Sequence, residues 1–461
     1  MSFVFFDTET TGLSSHFDQI VQFAAIRTDH QLKETDRFEL RSRLCEHIVP
    51  HPEAIRINGI GIKQLLDASL PSHYEMTCQV REKLLEWSPS IFSGYNSIGF
   101  DEEFLRQAFY QCLFPPYLTS QAGCGRADVM SLVMDAATSS PGAIEIPLRD
   151  DGRPSFKLVD IAHANGLAHG RMHDALSDVR VVIEICKRLQ TGALEAWQRF
   201  TRFSNKASVA DFIQGEDAFL FTKFYRGQAH HTPVVWVAND PKQSTLAVCL
   251  SIDASTRKLL AASDSDLAVA VTDQPALIRR VRTNKAPALT PLYEIDDSAV
   301  SLPMGVDEIE DIGRAVRSDT VFCQRLLALH QRLTPQWPVE THVEKRIYGG
   351  FWSAEDDRLM ARFHEVDWCD RPGIVKKLKD DRLKLLGLRL IYRERSDLLT
   401  ATQQKDVVDE LAGRMLVADG PLGLKDAAAL VDDLLASMMP LDGTLLRQYR
   451  DYLLHRIGRP H

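Results

Sequence analysis

The sequence predicts a three-part chain: a mixed α/β segment over the first ~190 residues, a smaller β-containing segment, and a helical C-terminal segment. Three observations carry this prediction. Short apolar runs broken by turn residues fill the first part, two apolar runs flank Asn239-Asp240-Pro241 in the middle, and helix-type spacing dominates from Ser353 onward. The length agrees, since 461 residues at ~150 per domain suggest about three domains.

Taken in order, Phe3-Val4-Phe5-Phe6 is an apolar run ended by an acid and a Thr-rich turn, as a buried strand would be. Residues Ile20 to Arg27 form a second strand candidate, followed by the turn Thr28-Asp29-His30. Between Ala175 and Leu189, the apolar residues Leu176, Val179, Ile183 and Cys186 fall on one helix face. In the middle segment, Pro233 to Ala238 and Ser244 to Leu250 read as a hairpin-like pair. Leu302 to Gly305 and Leu333 to Pro338 are expected connectors, and Ser353 is placed to cap a helix opening with Ala354-Glu355-Asp356-Asp357.

The composition is that of a globular chain, 44% hydrophobic and 25% charged, which excludes wholesale disorder and a fibrous repeat. A net charge of −9 argues against gripping nucleic acid by bulk positive charge. The deficit is uneven: residues 1–195 hold 18 basic and 26 acidic residues, whereas residues 341–461 hold 20 of each. Eight cysteines with no C-x-x-C pair make neither a disulfide framework nor a zinc ribbon. With no basic leader before Asp7 and no long apolar run, a reduced cytoplasmic protein with no membrane association is the expectation.

Several of the extra carboxylates stand in suggestive places. Asp7 and Glu9 lie two apart at the end of a predicted strand, so both project to one face. Two like charges on one face need a cation or a raised pKa, and a hard divalent ion suits carboxylate oxygens, although D-x-E also recurs on solvated strand ends. Asp101 follows Gly94-Tyr95-Asn96-Ser97-Ile98-Gly99-Phe100, where a loop becomes a helix, and can reach a metal beside the sheet. Glu102 and Glu103 read as complements of that helix's dipole. His173 precedes the amphipathic helix, Asp174 can cap it, and Asp178 lies one turn in. A histidine there is either a surface residue or a base able to take a proton at neutral pH.

In this order and context, Asp7, Glu9, Asp101, His173 and Asp178 resemble the DEDDh 3′–5′ exonucleases, which have a ribonuclease-H-like fold. Gln22 to Asp29, Gly94-Tyr95-Asn96, Asp150 to Leu158, Ala162 to Asp178 and Tyr348-Gly349-Gly350-Phe351 are similar to the bacterial exonuclease I branch. The resemblance runs the full length, strongest within residues 1–190 and patchy beyond. It departs in the middle third and in Leu118 to Gly125, where the family's aromatic DNA contacts are not clearly reproduced.

That resemblance implies an exonuclease domain over 1–192, an SH3-like β-containing domain over 193–345 and a helical domain over 346–461. It implies processive 3′→5′ degradation of single-stranded DNA to 5′-mononucleotides, in DNA repair and recombination. Asp7, Glu9, Asp101 and Asp178 would hold two Mg²⁺ ions, with Mn²⁺ as a substitute, and His173 would act as general base on the attacking water. Besides Glu9, Lys157, Arg106 and Tyr117 fall at substrate-contacting positions. The basic stretch Val375 to Arg395, above all Lys376, Lys377 and Lys379, is either a DNA clamp or a solvated face, with Arg279-Arg280-Val281-Arg282 a weaker candidate. The acidic C-terminal tail of the single-stranded-DNA-binding protein is the implied protein partner, and the enzyme is expected to be a monomer. The competing readings are a DEDDh enzyme acting on RNA or oligoribonucleotides, a proofreading exonuclease, and a catalytically dead nucleic-acid-binding module. All five motif residues are present, which weighs against the last.

Overall fold

The computed structural model describes residues 2–121, 123–167, 174–225, 227–295, 300–335, 340–414, 419–437 and 443–458. Its first sheet has five strands, β1 (Phe3–Thr10), β2 (Ile20–Thr28), β3 (Glu34–Arg41), β4 (Ile91–Gly94) and β5 (Gly125–Asp128), in the order β3-β2-β1-β4-β5. β2 runs antiparallel to β1 and to β3, whereas β4 is parallel to both β1 and β5. The apolar start of β1 is buried on both faces, as a central strand requires, and β3 at the edge carries the exposed charges. Gly94 closes β4 against β1: a Cβ there would lie 2.5 Å from the Phe6 carbonyl oxygen.

Each face of this sheet has its own core. On one, Phe3, Phe5 and Ile26 meet Val179, Ile183 and Cys186 of helix Ala175–Gly192, the apolar face expected from the sequence, with Leu176 half-buried against it. On the other, Val4, Phe6 and Phe23 meet helices His73–Glu86 and Asp101–Gln111.

The second sheet is wholly antiparallel. Its strands β6 (Phe219–Tyr225), β7 (Gln228–Asp240), β8 (Gln243–Ser251), β9 (Ile278–Arg282) and β10 (Leu289–Pro291) are ordered β10-β6-β7-β8-β9. The expected hairpin is β7–β8, with Asp240 Oδ1 accepting from the Lys242 amide at 2.7 Å to close the turn. Helices Val306–Ser318 and Thr320–Leu333 pack on this sheet through Ile309, Ile312, Phe322 and Leu326.

The C-terminal segment is helical, and Ser353 caps helix Ala354–Glu365 as expected, its Oγ accepting from the Asp356 amide at 3.1 Å. Among the described residues its apolar side chains join clusters with the first segment. Met360, Phe363, Leu383, Leu386 and Leu390 share a cluster with Phe104 and Leu105 of the first segment. Val431, Leu446, Tyr449 and Leu453 share another with Val21, Ile48, Ile55 and Ile62. This double docking walls in the end of β1. Among the described residues no helix is long and apolar enough to cross a membrane, and the eight cysteines are free thiols.

Candidate active site

Beyond Phe6, β1 alternates: Thr8 and Thr10 turn into the protein, while Asp7 and Glu9 stay half-buried on one face. Asp178 comes to the same place from helix Ala175–Gly192. Asp174 caps that helix, its Oδ2 accepting from the Ser177 amide at 3.3 Å. One oxygen each from Asp7, Glu9 and Asp178 lies within 4.8 Å of the others. Asp101, the first residue of helix Asp101–Gln111, is only 3% exposed. Its Oδ1 accepts from the Thr8 amide at 3.0 Å and from Thr8 Oγ1 at 2.6 Å. Asp101 therefore stands beside the three-oxygen group, locked to the residue between its two strand acids. His173 lies outside the described residues.

Among the described residues, burial and like charge outweigh the positive charge facing Asp7, Glu9 and Asp101. Burial pushes the Glu9 carboxyl up to about 8, and Asp178, Asp101 and Asp174 add to it, with Arg41 opposing. Asp7 is held well above the carboxylate range by burial and then by Asp101, Glu9, Asp178 and Asp174. Asp101 is pushed up to about 7 by burial, despite the hydrogen bonds from Thr8. An all-oxygen donor set that must otherwise bind protons near neutrality fits a hard divalent cation.

Residues not singled out from the sequence hold the acids in place. Asp128, at the end of β5, accepts from the amides of Asn96 (2.9 Å), Ile98 (3.2 Å) and Met130 (3.0 Å). It thereby braces the loop leading to Asp101, in which Asn96 adopts a left-handed φ of 59°. Asp174 is tied to β2 by Gln22 Nε2 at 3.1 Å and lies 3.6 Å from Arg41 on β3. Beside Glu9 opens a cleft of about 1030 Å³, its wall built from Leu13, Phe17, Ile48 and Ile57, with Lys345 at its edge.

The other candidates fall in different settings. Lys157 is exposed and begins helix Leu158–Ala164. Arg106 is 5% exposed, reaching Glu102 at 3.3 Å, Ser120 at 3.2 Å and the Tyr348 hydroxyl at 3.4 Å. Its guanidinium lies 5.3 Å from the centre of the half-buried Tyr117 ring. Glu102 does more than complement the helix dipole: it is buried and accepts from Arg126 Nε at 2.8 Å. Glu103 accepts from the Tyr348 hydroxyl and pairs with Lys285 of the second segment at 3.6 Å.

The basic stretch does not form one cationic face. Arg382 and Arg389 turn inward, Lys379 pairs with Glu355 at 2.6 Å and Lys384 with Asp381 at 3.2 Å. Lys376 and Lys377 are exposed in the last turn of helix Arg371–Lys377. On β9, Arg279 donates to Ser251 Oγ at 3.1 Å and to Thr232 Oγ1 at 3.3 Å, without an ion pair among the described residues.

Comparison with known proteins gives this geometry a context. Residues 4–186 match the Exonuclease family model. The chain is 26% identical over 415 residues to the exodeoxyribonuclease I of Escherichia coli K12, covering 86% of this chain and 85% of that protein. It superposes on E. coli exonuclease I in complex with a dT13 oligonucleotide with a TM-score of 0.82, at 20% identity and 99% coverage of both chains. A structure of SSB/exonuclease I in complex with the inhibitor CFAM superposes equally well, with a TM-score of 0.82 at 21% identity, covering 98% of this chain and 99% of that one.

Proposed function

The chain is a homologue of exonuclease I over most of its length, and we propose on that premise that it removes 5′-mononucleotides processively from the 3′ end of single-stranded DNA. The observation that carries the proposal is the meeting of Asp7, Glu9 and Asp178 oxygens within 4.8 Å, beside the buried Asp101 and at the edge of a cleft.

Asp7, Glu9 and Asp178 would hold the metal, with Asp101 contributing its second oxygen while Thr8 restrains the first. A pair of Mg²⁺ ions, or Mn²⁺ in their place, supplies positive charge for the attacking and leaving oxygens of an in-line displacement. The remaining work belongs to the chain. His173, one residue before the cap of the Asp178 helix, is assigned to take the proton from the attacking water. The apolar wall of Leu13, Phe17, Ile48 and Ile57 receives the terminal nucleoside, which a duplex end would have to unpair to deliver. Exposed Lys157 is offered to a phosphate and the face of Tyr117 to a base. Arg106, committed to Glu102 and Tyr348, serves by holding that ring.

A role in DNA repair and recombination follows from the same premise. So does docking of the acidic tail of single-stranded-DNA-binding protein, for which the half-buried Arg279, without an ion pair among the described residues, and the nearby Lys223 offer positive charge.

The test is to present 3′-labelled single-stranded DNA, duplex DNA and RNA with Mg²⁺ or with EDTA. Metal-dependent release of mononucleotides from single-stranded DNA alone is expected. Equal rates on RNA would overturn the substrate assignment, and undiminished activity in Asp7→Ala or Asp178→Ala would overturn the site.

A further inference from the structure

Phe351 is 92% exposed, and its ring stands beside that of Tyr117 rather than alone on the surface. It is not on a loose tip. Residues 346–352 form a strap whose backbone is read from below by one side chain, Arg382, itself 5% exposed near the start of helix Asp381–Arg395. Arg382 Nη1 donates to the Arg346 carbonyl at 2.8 Å and Nη2 to the Gly350 carbonyl at 3.0 Å. The opposite edge of the fork grips Asp380, Nε to Oδ1 at 3.0 Å and Nη2 to Oδ2 at 2.7 Å, and Asp380 also accepts from the Arg382 amide at 2.9 Å. The strap is shaped for this guanidinium: a Cβ on Gly349 would sit 3.3 Å from Nη1, and Gly350 needs its φ of 109°.

The strap's side chains reach the helix that begins with Asp101. Tyr348 donates to Glu103 and accepts from Arg106, and the Tyr117 ring lies 6.5 Å from that of Tyr348 and 6.4 Å from that of Phe351. Arg382 thus bears on where two rings, Tyr348 and Phe351, stand beside Tyr117 and the helix carrying a proposed metal ligand.

We infer that Arg382 is a positioning residue for the substrate strand: by fixing the carbonyls of Arg346 and Gly350 it holds Tyr348 and Phe351 beside Tyr117 as a stacking platform for nucleotides behind the reacting end. This rests on the reading that single-stranded DNA is the substrate. Arg382 then governs how tightly and how long a strand is held, and leaves bond cleavage alone.

The experiment compares Arg382→Gln, Phe351→Ala and the double variant with the full-length wild type. The readouts are anisotropy of labelled oligo(dT) in EDTA, KM and kcat on oligo(dT), and kcat/KM on a trinucleotide, which leaves at most two nucleotides behind the reacting end. Losing one base–aromatic stack predicts about tenfold weaker oligo(dT) binding and a similar rise in KM, with kcat within about twofold. Trinucleotide turnover is expected to stay at the wild-type level. The double variant is expected to be no worse than the weaker single one, because both remove the same platform. Arg382→Lys keeps the charge beside Asp380 but cannot read both carbonyls, so about threefold weaker binding is expected of it; it carries the test if the Gln variant does not fold. Unchanged oligo(dT) binding in a folded Arg382 variant, or an equal loss on the trinucleotide, overturns the inference. A wild type inactive on single-stranded DNA would instead overturn the reading beneath it.

Discussion

At the end of β1, Asp7, Glu9 and Asp101 make no ion pair among the described residues, whereas Glu344 lies buried between Arg389, at 2.6 Å, and Arg414. Burial alone would push all these carboxyls up, and for Glu344 the two arginines more than offset it, holding that group below its ordinary value. Among the described residues nothing equivalent faces Asp7, Glu9 and Asp101, and their pKa values stay high. Both regions bring chain-distant charges together, but only at Glu344 do described cations outweigh burial. The Glu344 cluster holds the C-terminal helices in place. The acids at the end of β1 are left suited to a bound cation, which is what separates a site from a structural ion pair.

Removing charge should therefore have opposite consequences in the two regions. Asp178→Asn or Asp7→Asn is expected to cost at least about a hundredfold to a thousandfold in kcat, the scale of losing a group that organises transition-state charge. Scanning calorimetry in EDTA should find Asp7→Asn as stable as the wild type or more so, because one of several mutually repelling carboxyls has gone. A variant that lost activity by unfolding would contradict this. Glu344→Gln should show the reverse, with a stability loss of about 3 kcal/mol in denaturant titration from two arginines left without their carboxylate, and turnover per folded molecule retained. An unchanged midpoint would mean that Glu344 is not the keystone its contacts describe.

The pH dependence of stability sharpens the same contrast. Glu9 at about 8 and Asp101 at about 7 bind protons in the folded chain that the unfolded chain releases near pH 4. Over that window the native state holds more protons, so these groups' contribution to the stability of the metal-free protein falls as pH rises. Melting curves in EDTA between pH 5 and pH 9 should show the decline. Mg²⁺ should reverse it most strongly at the alkaline end, where the carboxylates are ionised. A Mg²⁺ effect that is constant with pH would show that the ion binds elsewhere.

How much of this was legible depended on the range of the interaction. The common face of Asp7 and Glu9 follows from the two-residue period of a strand, and the Asp174 cap and the Asp178 turn from helix spacing; all are local. Thr8 was passed over because its partner Asp101 is 93 residues away, and Asp128 because the amides it braces lie about 30 residues back along the chain. Glu102 looked like a dipole residue in a first helical turn, and only the fold brings Arg126 to it from 24 residues on. In the C-terminal segment, helix periodicity shows that a face is apolar, not what covers it. Leu383, Leu386 and Leu390 are covered by Phe104 and Leu105.

The same limit applies to the basic stretch and sets the smallest effect expected. Counted along the chain, Val375 to Arg395 carries eight basic residues against three acids, which suggests a strong electrostatic clamp. In the fold, Arg382 and Arg389 face inward onto carboxylates, and Lys379 and Lys384 spend their charge on Glu355 and Asp381. Lys376 and Lys377 remain exposed at a helix C-terminus, where the helix dipole already favours positive charge. Replacing both with Gln should thus weaken oligo(dT) binding by no more than about threefold, and lower the slope of log affinity against log salt by about one unit at most, since single-stranded DNA gives ~0.7 per phosphate contact. Runs of degradation should shorten slightly while kcat stays put. A slope reduced by about 1.4 units, the worth of two phosphate contacts, would restore the stretch as a clamp. An unchanged slope would make these lysines a solvated face, and would leave positioned rings and bound metal, rather than surface charge, as the means by which an acidic protein holds a polyanion.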